Sequence, residues 1–193
     1  RNLLNIIIEC RSANEIKKLC AADAEFNKVV ISTVSDALKT VERDRDTNST
    51  RSYNFIKLLN AISHDDIAKI TVDIINENTD PLSMGDSDNA KNGRRYILAC
   101  KRTFKEITKG RLKNIEKFSM TYWSDDAMMV PVHNMFVCMG FMIKNSTSTK
   151  IKDNLYEAIC SNYDSLSTTN KLFIMFMFDK EISEEFISET VME

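Results

Sequence analysis

The stretch Ala127 to Ile143, reading AMMVPVHNMFVCMGFMI, decides the fold. It runs 17 residues without a charge, and its apolar side chains fall on every side of a helix. A helix that is apolar all round has to be surrounded, either by other helices or by lipid. A lipid span needs roughly 20 apolar residues, whereas this stretch is shorter and carries Pro131, His133, Asn134 and Gly140. We therefore expect a central core helix and no membrane span. Met128, Met129, Met135, Met139 and Met142 cluster here, with Met175 and Met177 in a later apolar run. Flexible thioethers fill irregular gaps between helices, so core filling is their default reading.

Working outward, the flanking segments read as amphipathic helices wrapped around this one. Gly and Pro number four and two in 193 residues, too few for the many turns of a sheet or barrel protein. Upstream, apolar residues recur at three- and four-residue spacing over about Asn2–Cys10, Ala24–Arg43, Ser52–Ile62 and the segment after Ser63. Ser12-Ala13-Asn14-Glu15 is a capping box that should start a short helix through Ala21, and Ser63 should cap the helix of Ile67, Ile70, Ile74 and Ile75. The β-branched run Val29-Val30-Ile31 is not followed by alternation, so we read it as helix. Downstream, Lys150–Cys160 and Lys171–Phe178 are helices, the second capped by Thr168 or Thr169. An acidic amphipathic tail, Glu181 to Met192, ends the chain.

Asn76 to Gly93 (NENTDPLSMGDSDNAKNG) is the one stretch that resembles a linker, with Pro81 and two of the four glycines. The expected architecture is all-α, about nine helices around the helix at about 127–143. The organisation is one domain over 1–193, or two packed lobes, 1–76 and 94–193, joined by the polar loop 77–93. The five cysteines are odd in number, widely spaced and without a CxxC pair, as for free thiols of a reducing, intracellular compartment. The abundance of Asn, Ile, Lys, Met and Ser suggests an AT-rich genome, as in many large DNA viruses or protozoa, which would place the protein in the cytoplasm or nucleus of a host cell. Sequons at Asn48 and Asn145 arise often by chance, and an Arg1 rather than a Met at the start leads us to expect sequence upstream.

The functional signal is charge. Between Arg94 and Lys117 lie nine basic residues (Arg94, Arg95, Lys101, Arg102, Lys105, Lys109, Arg111, Lys113 and Lys117) and only two acids, Glu106 and Glu116. That is a net +7 in a chain of −2, so the remainder carries −9. At 100° per residue, the six from Arg94 to Lys109 share one helix face, opposite Tyr96, Ile97, Cys100, Phe104 and Ile107. Like charges one turn apart cost a few tenths of a kcal/mol each. An almost single-sign face therefore points to an anionic partner, of which nucleic-acid phosphate is the commonest. Acids from another helix could equally cover it, which would make the face structural. Of the nearby aromatics, Tyr122 and Trp123 are the candidates for stacking on bases.

Catalytic and metal chemistry find little support. His64-Asp65-Asp66 does not share a helix face and reads as a cap, and His133 reads as a core histidine. No P-loop, dinucleotide fingerprint or zinc spacing occurs, so we expect no catalytic residue, metal or cofactor. The order of apolar helix, Lys150–Cys160 helix and apolar helix, over about a third of the chain, resembles the Bcl-2-like host-modulating proteins of poxviruses. That resemblance implies a protein-interaction module. The Asn-Trp-Gly-Arg signature is absent, since Asn92-Gly93-Arg94 lacks the Trp. The sequence thus leads to a non-enzymatic nucleic-acid-binding protein, RNA favoured, of nucleoprotein-like or replication-associated type. The alternative is a helical protein-interaction module. The tail, with Ile182, Phe186, Ile187 and Val191 on one side, either packs within the chain or seats on a neighbouring protomer to give a homo-oligomer.

Overall fold

Twelve consecutive residues of the central helix, Pro131 to Met142, are buried in the computed structural model, which describes residue 7 and residues 9–39, 56–78, 88–110 and 130–183. Its elements are α1 (Ala13–Ala22), α2 (Ala24–Lys39), α3 (His64–Glu77), α4 (Asp88–Thr108), α5 (Val130–Asn145), α6 (Ile151–Cys160), a 3-10 turn (Tyr163–Ser165) and α7 (Thr168–Met177). The fold is all-α, with no strand among the described residues. Eight helical elements are delimited there, against about nine expected. The expected segments at 2–6, 40–55, 111–129 and 184–193 lie outside the described residues.

Local sequence sets most of the helix starts. Ser12 and Glu15 form the full capping box: Glu15 N–H donates to Ser12 Oγ at 3.3 Å, and Ser12 N–H donates to Glu15 Oε2 at 2.8 Å. Asp23 ends α1 and starts α2, its Oδ1 accepting the backbone N–H of Glu25 and Phe26. Ser63 caps α3 by accepting from Asp66 N–H at 3.1 Å. Val29, Val30 and Ile31 are helical, because burial of Val30, Val34 and Leu38 on one stripe outweighs a weak β-propensity.

Three boundaries differ from the expectation. The helix placed at Arg94 begins at Asp88, so the polar stretch expected as linker to Gly93 is helical over its last six residues. Asn89, Asn92 and Gly93 lower helix propensity by less than a kcal/mol or so each, which a 21-residue helix tolerates once nucleated. The core helix sits slightly later than expected, at Val130–Asn145, which leaves Pro131 in its first turn where no intrahelical N–H is needed. Ser167, rather than Thr168 or Thr169, caps α7 by accepting from Asn170 N–H.

The central helix α5 packs against α4, α2 and α3. Encirclement on three sides is what its all-round apolar surface requires. Among the described residues no helix is long and apolar enough to cross a membrane. On α3, Ala68, Thr71 and Val72 are buried as well as Ile67, Ile70, Ile74 and Ile75. The extra burial arises because α3 touches three helices, α6, α2 and α5. Two amides tie distant segments to the end of α3: Asn76 Nδ2 donates to Ser165 O at 2.8 Å, and Asn170 Nδ2 donates to Asn76 Oδ1 at 3.3 Å. All five cysteines are free thiols; Cys20, Cys100 and Cys138 are buried, Cys160 is half-buried and Cys10 is exposed. Burial pushes the Cys138 thiol up to about 12.

Candidate nucleic-acid interface

Helix α4 carries the basic residues, and its inner side fixes how they face. Cys100, Phe104 and Ile107 are buried against α5, one helical turn apart. Gly140 of α5 permits this close approach: a Cβ there would lie 3.1 Å from Ile107 Cγ2 and 3.3 Å from Phe104 Cδ2. Phe104 meets Phe136 edge-on at 5.6 Å between ring centroids and Phe178 at 5.7 Å. Phe136 in turn meets Phe173 at 5.6 Å, so one aromatic cluster clamps α4, α5 and α7 together. Such pairs add about 0.5–1.5 kcal/mol each beyond area burial. The helix ends where Gly110 takes φ +72°, a left-handed value that glycine adopts freely.

The opposite side of α4 is open. Arg102, Lys105 and Lys109 are exposed, and Leu98 between them on the wheel is 60% exposed. Among the described residues, no acidic side chain forms an ion pair with any of these three cations. Glu106 is half-buried on the flank of this strip. The side chains of Arg94 and Arg95, and residues Arg111, Lys113, Lys117, Tyr122 and Trp123, lie outside what the structure describes.

Lys101 belongs to a different arrangement. Its side chain is only 12% exposed, and it leans off the strip toward the C-terminus of α7. There its Nζ donates to Phe176 O at 2.6 Å, Met177 O at 2.9 Å and Asp179 Oδ1 at 2.6 Å. Three donors meet three acceptors, two of them carbonyls at the end of a helix, where cations are favoured by the macrodipole. Burial lowers the Lys101 pKa, and the Asp179 carboxylate opposes that shift; Asp179 is itself held below the usual carboxylate range, chiefly by its hydrogen bond to Lys101. Lys101 therefore works as a cap for α7, not as a free surface cation.

The chain end of α7 explains the acceptors. Lys180 N–H donates to Met175 O at 3.0 Å and Asp179 N–H to Phe176 O at 3.3 Å, the two bonds of a Schellman turn. The left-handed position of that turn, usually glycine, is Asp179 at φ +57°. Aspartate tolerates this conformation better than most residues, and its carboxylate binds both Lys101 and Lys152, the latter at 3.3 Å. Lys180 pairs with Asp153 at 3.0 Å and lies over the Tyr156 ring, 4.7 Å from its centroid. In the sequence Phe176 belongs to the apolar run Lys171–Phe178, and Lys152 and Asp179 stand in no recognisable motif. The only local signal was an Asp where a helix-ending Gly would be expected.

The remaining candidates resolve into structure. Ser63 Oγ donates to Asp66 Oδ2 at 2.8 Å, so His64-Asp65-Asp66 is part of a helix cap. Among the described residues no group of three or more His, Cys, Asp or Glu could hold a metal ion. His133 is buried in α5, where desolvation pulls its pKa down to about 4. A cleft of about 190 Å³ beside Lys17, Asn60 and His64 falls below the ~300–1,000 Å³ of small-molecule pockets. Compared with protein-family models, with curated proteins and with solved structures, the chain matches none of them.

Proposed function

We propose that this protein binds nucleic acid, RNA being the favoured form, through the outward strip of α4. The observation that carries the reading is three exposed cations, Arg102, Lys105 and Lys109, without an acid paired to them among the described residues. The sequence left open whether acids of the −9 remainder cover this face. In the described region Asp153 pairs with Lys180, Asp179 with Lys101 and Lys152, Glu25 with Lys28 and Glu15 with Arg11. Those acids are engaged elsewhere. From Arg102 to Lys109 the helix rises about 10 Å, the length of roughly three nucleotides at ~3.4 Å per step along one strand. Arg94, Arg95, Arg111, Lys113 and Lys117 flank these three cations in the sequence.

The test is anisotropy of a labelled RNA titrated with the full chain at ~50 mM salt and upward. The wild type should bind, with affinity falling linearly in log salt. Arg102→Glu, Lys105→Glu and Lys109→Glu together should abolish binding, and neutral Gln at the three sites should lower the salt slope by about 0.7 per lost phosphate contact. A wild type that binds no RNA or DNA at ~50 mM salt, or a triple Glu variant that binds as well, sinks the reading.

A further inference from the structure

We propose that Phe176 is a stacking platform for one unpaired base, so that the α4 strip takes single-stranded nucleic acid. The inference rests on the nucleic-acid reading above and adds the class of strand. Seven phenylalanines fall among the described residues: Phe104, Phe136, Phe141, Phe173 and Phe178 are buried, Phe26 is half-buried, and Phe176 alone is exposed, at 38%. Its neighbours Phe173, Ile174, Met175, Met177 and Phe178 are all buried, so α7 is seated on the core beneath it.

The ring is not merely exposed; it is fixed at the edge of the cationic strip. Lys101 of α4 donates to the carbonyl of Phe176 itself and holds its ammonium 5.2 Å from the centre of the ring. Lys105 lies one helical turn beyond Lys101 and Leu98 one turn before it, both outward. A backbone whose phosphates lie on Arg102, Lys105 and Lys109 would run along the same helix as Lys101, whose ammonium lies over one face of the Phe176 ring and leaves the ring's exposed part to a base. That combination of a cationic track and an adjoining aromatic serves single strands, whose bases can unstack from one another, and is of no use to a duplex, whose bases are already paired and stacked. An apolar residue on this outward position costs little by itself. What gives it meaning is the lysine that anchors it and the cations beside it.

Anisotropy with a labelled 12-nucleotide single strand, and with the duplex of the same sequence, tests this on the full chain. Phe176→Leu should weaken single-strand binding about five- to a hundredfold, with the salt slope unchanged and duplex binding unaltered. Phe176→Tyr should retain wild-type single-strand affinity, and thermal melting should show both variants folded. If Phe176→Leu binds the single strand as tightly as wild type, or loses single strand and duplex equally, the stacking role is wrong. Loss on the triple Glu variant with no loss on Phe176→Leu leaves the strip reading standing and removes only the base platform. A wild type that binds neither form removes both.

Discussion

The two flanks of helix α4 present lysines one turn apart with opposite fates. Lys101 lies on the flank toward α7, nearly buried, with every N–H engaged by two carbonyls and a carboxylate. Lys105 stands in water, with no acid paired to it among the described residues. On a helical wheel both belong to the same basic face. The difference is made by α7, whose C-terminus arrives from some 75 residues further along the chain and offers acceptors on one flank only. Clustered charge on a helix is thus a mixture of structural and available cations, and only the tertiary partner sorts them.

The sharpest way to break the contrast is to remove the inner side that sets it. Phe104→Ala should cost about 3–5 kcal/mol, because the ring is buried between Phe136 and Phe178. Urea unfolding should show this as a lower midpoint. A loss under about 1 kcal/mol would mean that α4 is not clamped through this ring, and the sorting of its flanks would lose its cause.

The next largest effect contrasts Lys101 with a buried titratable group of the neighbouring helix. His133 of α5 has its pKa pulled down to about 4 by desolvation. An unfolded histidine titrates near 6.5, so between the two values the unfolded chain binds the extra proton and acidification favours unfolding. The stability is fully present above pH ~6.5 and falls by up to about 3 kcal/mol as the pH drops to ~4. His133→Gln should flatten that part of the stability–pH curve. An unchanged slope in the variant would assign the acid loss to other groups.

Lys101 comes third. Lys101→Met keeps the apolar stem but leaves two helix-end carbonyls and the Asp179 carboxylate without their donor. Charged hydrogen bonds of this kind carry about 1–3 kcal/mol, and the variant should melt lower accordingly. A change indistinguishable from that of an outward lysine would erase the distinction between the flanks.

How much of this was legible follows the range of the interactions. The core helix could be read from Ala127 to Ile143 because an uncharged surface all round, too short for a lipid span, has to be enclosed by other helices. The starts at Ser12 and Ser63 could be read because a cap is decided within four residues. The start of α4 at Asp88 could not, since Asn89, Asn92 and Gly93 carry loop-like propensities that the rest of a long helix overrides. The cap at Ser167 is hard to tell from Thr168 or Thr169 in the sequence, because neighbouring hydroxyls have similar capping strength. Of the candidate interface, the strip of Arg102, Lys105 and Lys109 was in the sequence. The departure of Lys101 from it and the approach of Phe176 were not, because both depend on the docking of α7 on α4.

The smallest expected effect is on the outward flank. Lys105 near the end of α4 gains a few tenths of a kcal/mol from the helix macrodipole and loses a similar amount to repulsion from Lys101 one turn away. With no acid paired to it among the described residues, little else changes when its charge is removed. Lys105→Met and Lys109→Met should each alter stability by no more than about 0.5 kcal/mol, measured as urea midpoints beside Lys101→Met in the same buffer. Raising the salt should shrink even that difference, since exposed charges are screened within ~10 Å at 0.1 M. Should Lys105→Met cost as much as Lys101→Met, the outward lysine would be holding the fold together and would not be free for phosphate. Neutral stability combined with weakened RNA binding is the signature of a residue that the fold leaves to a partner.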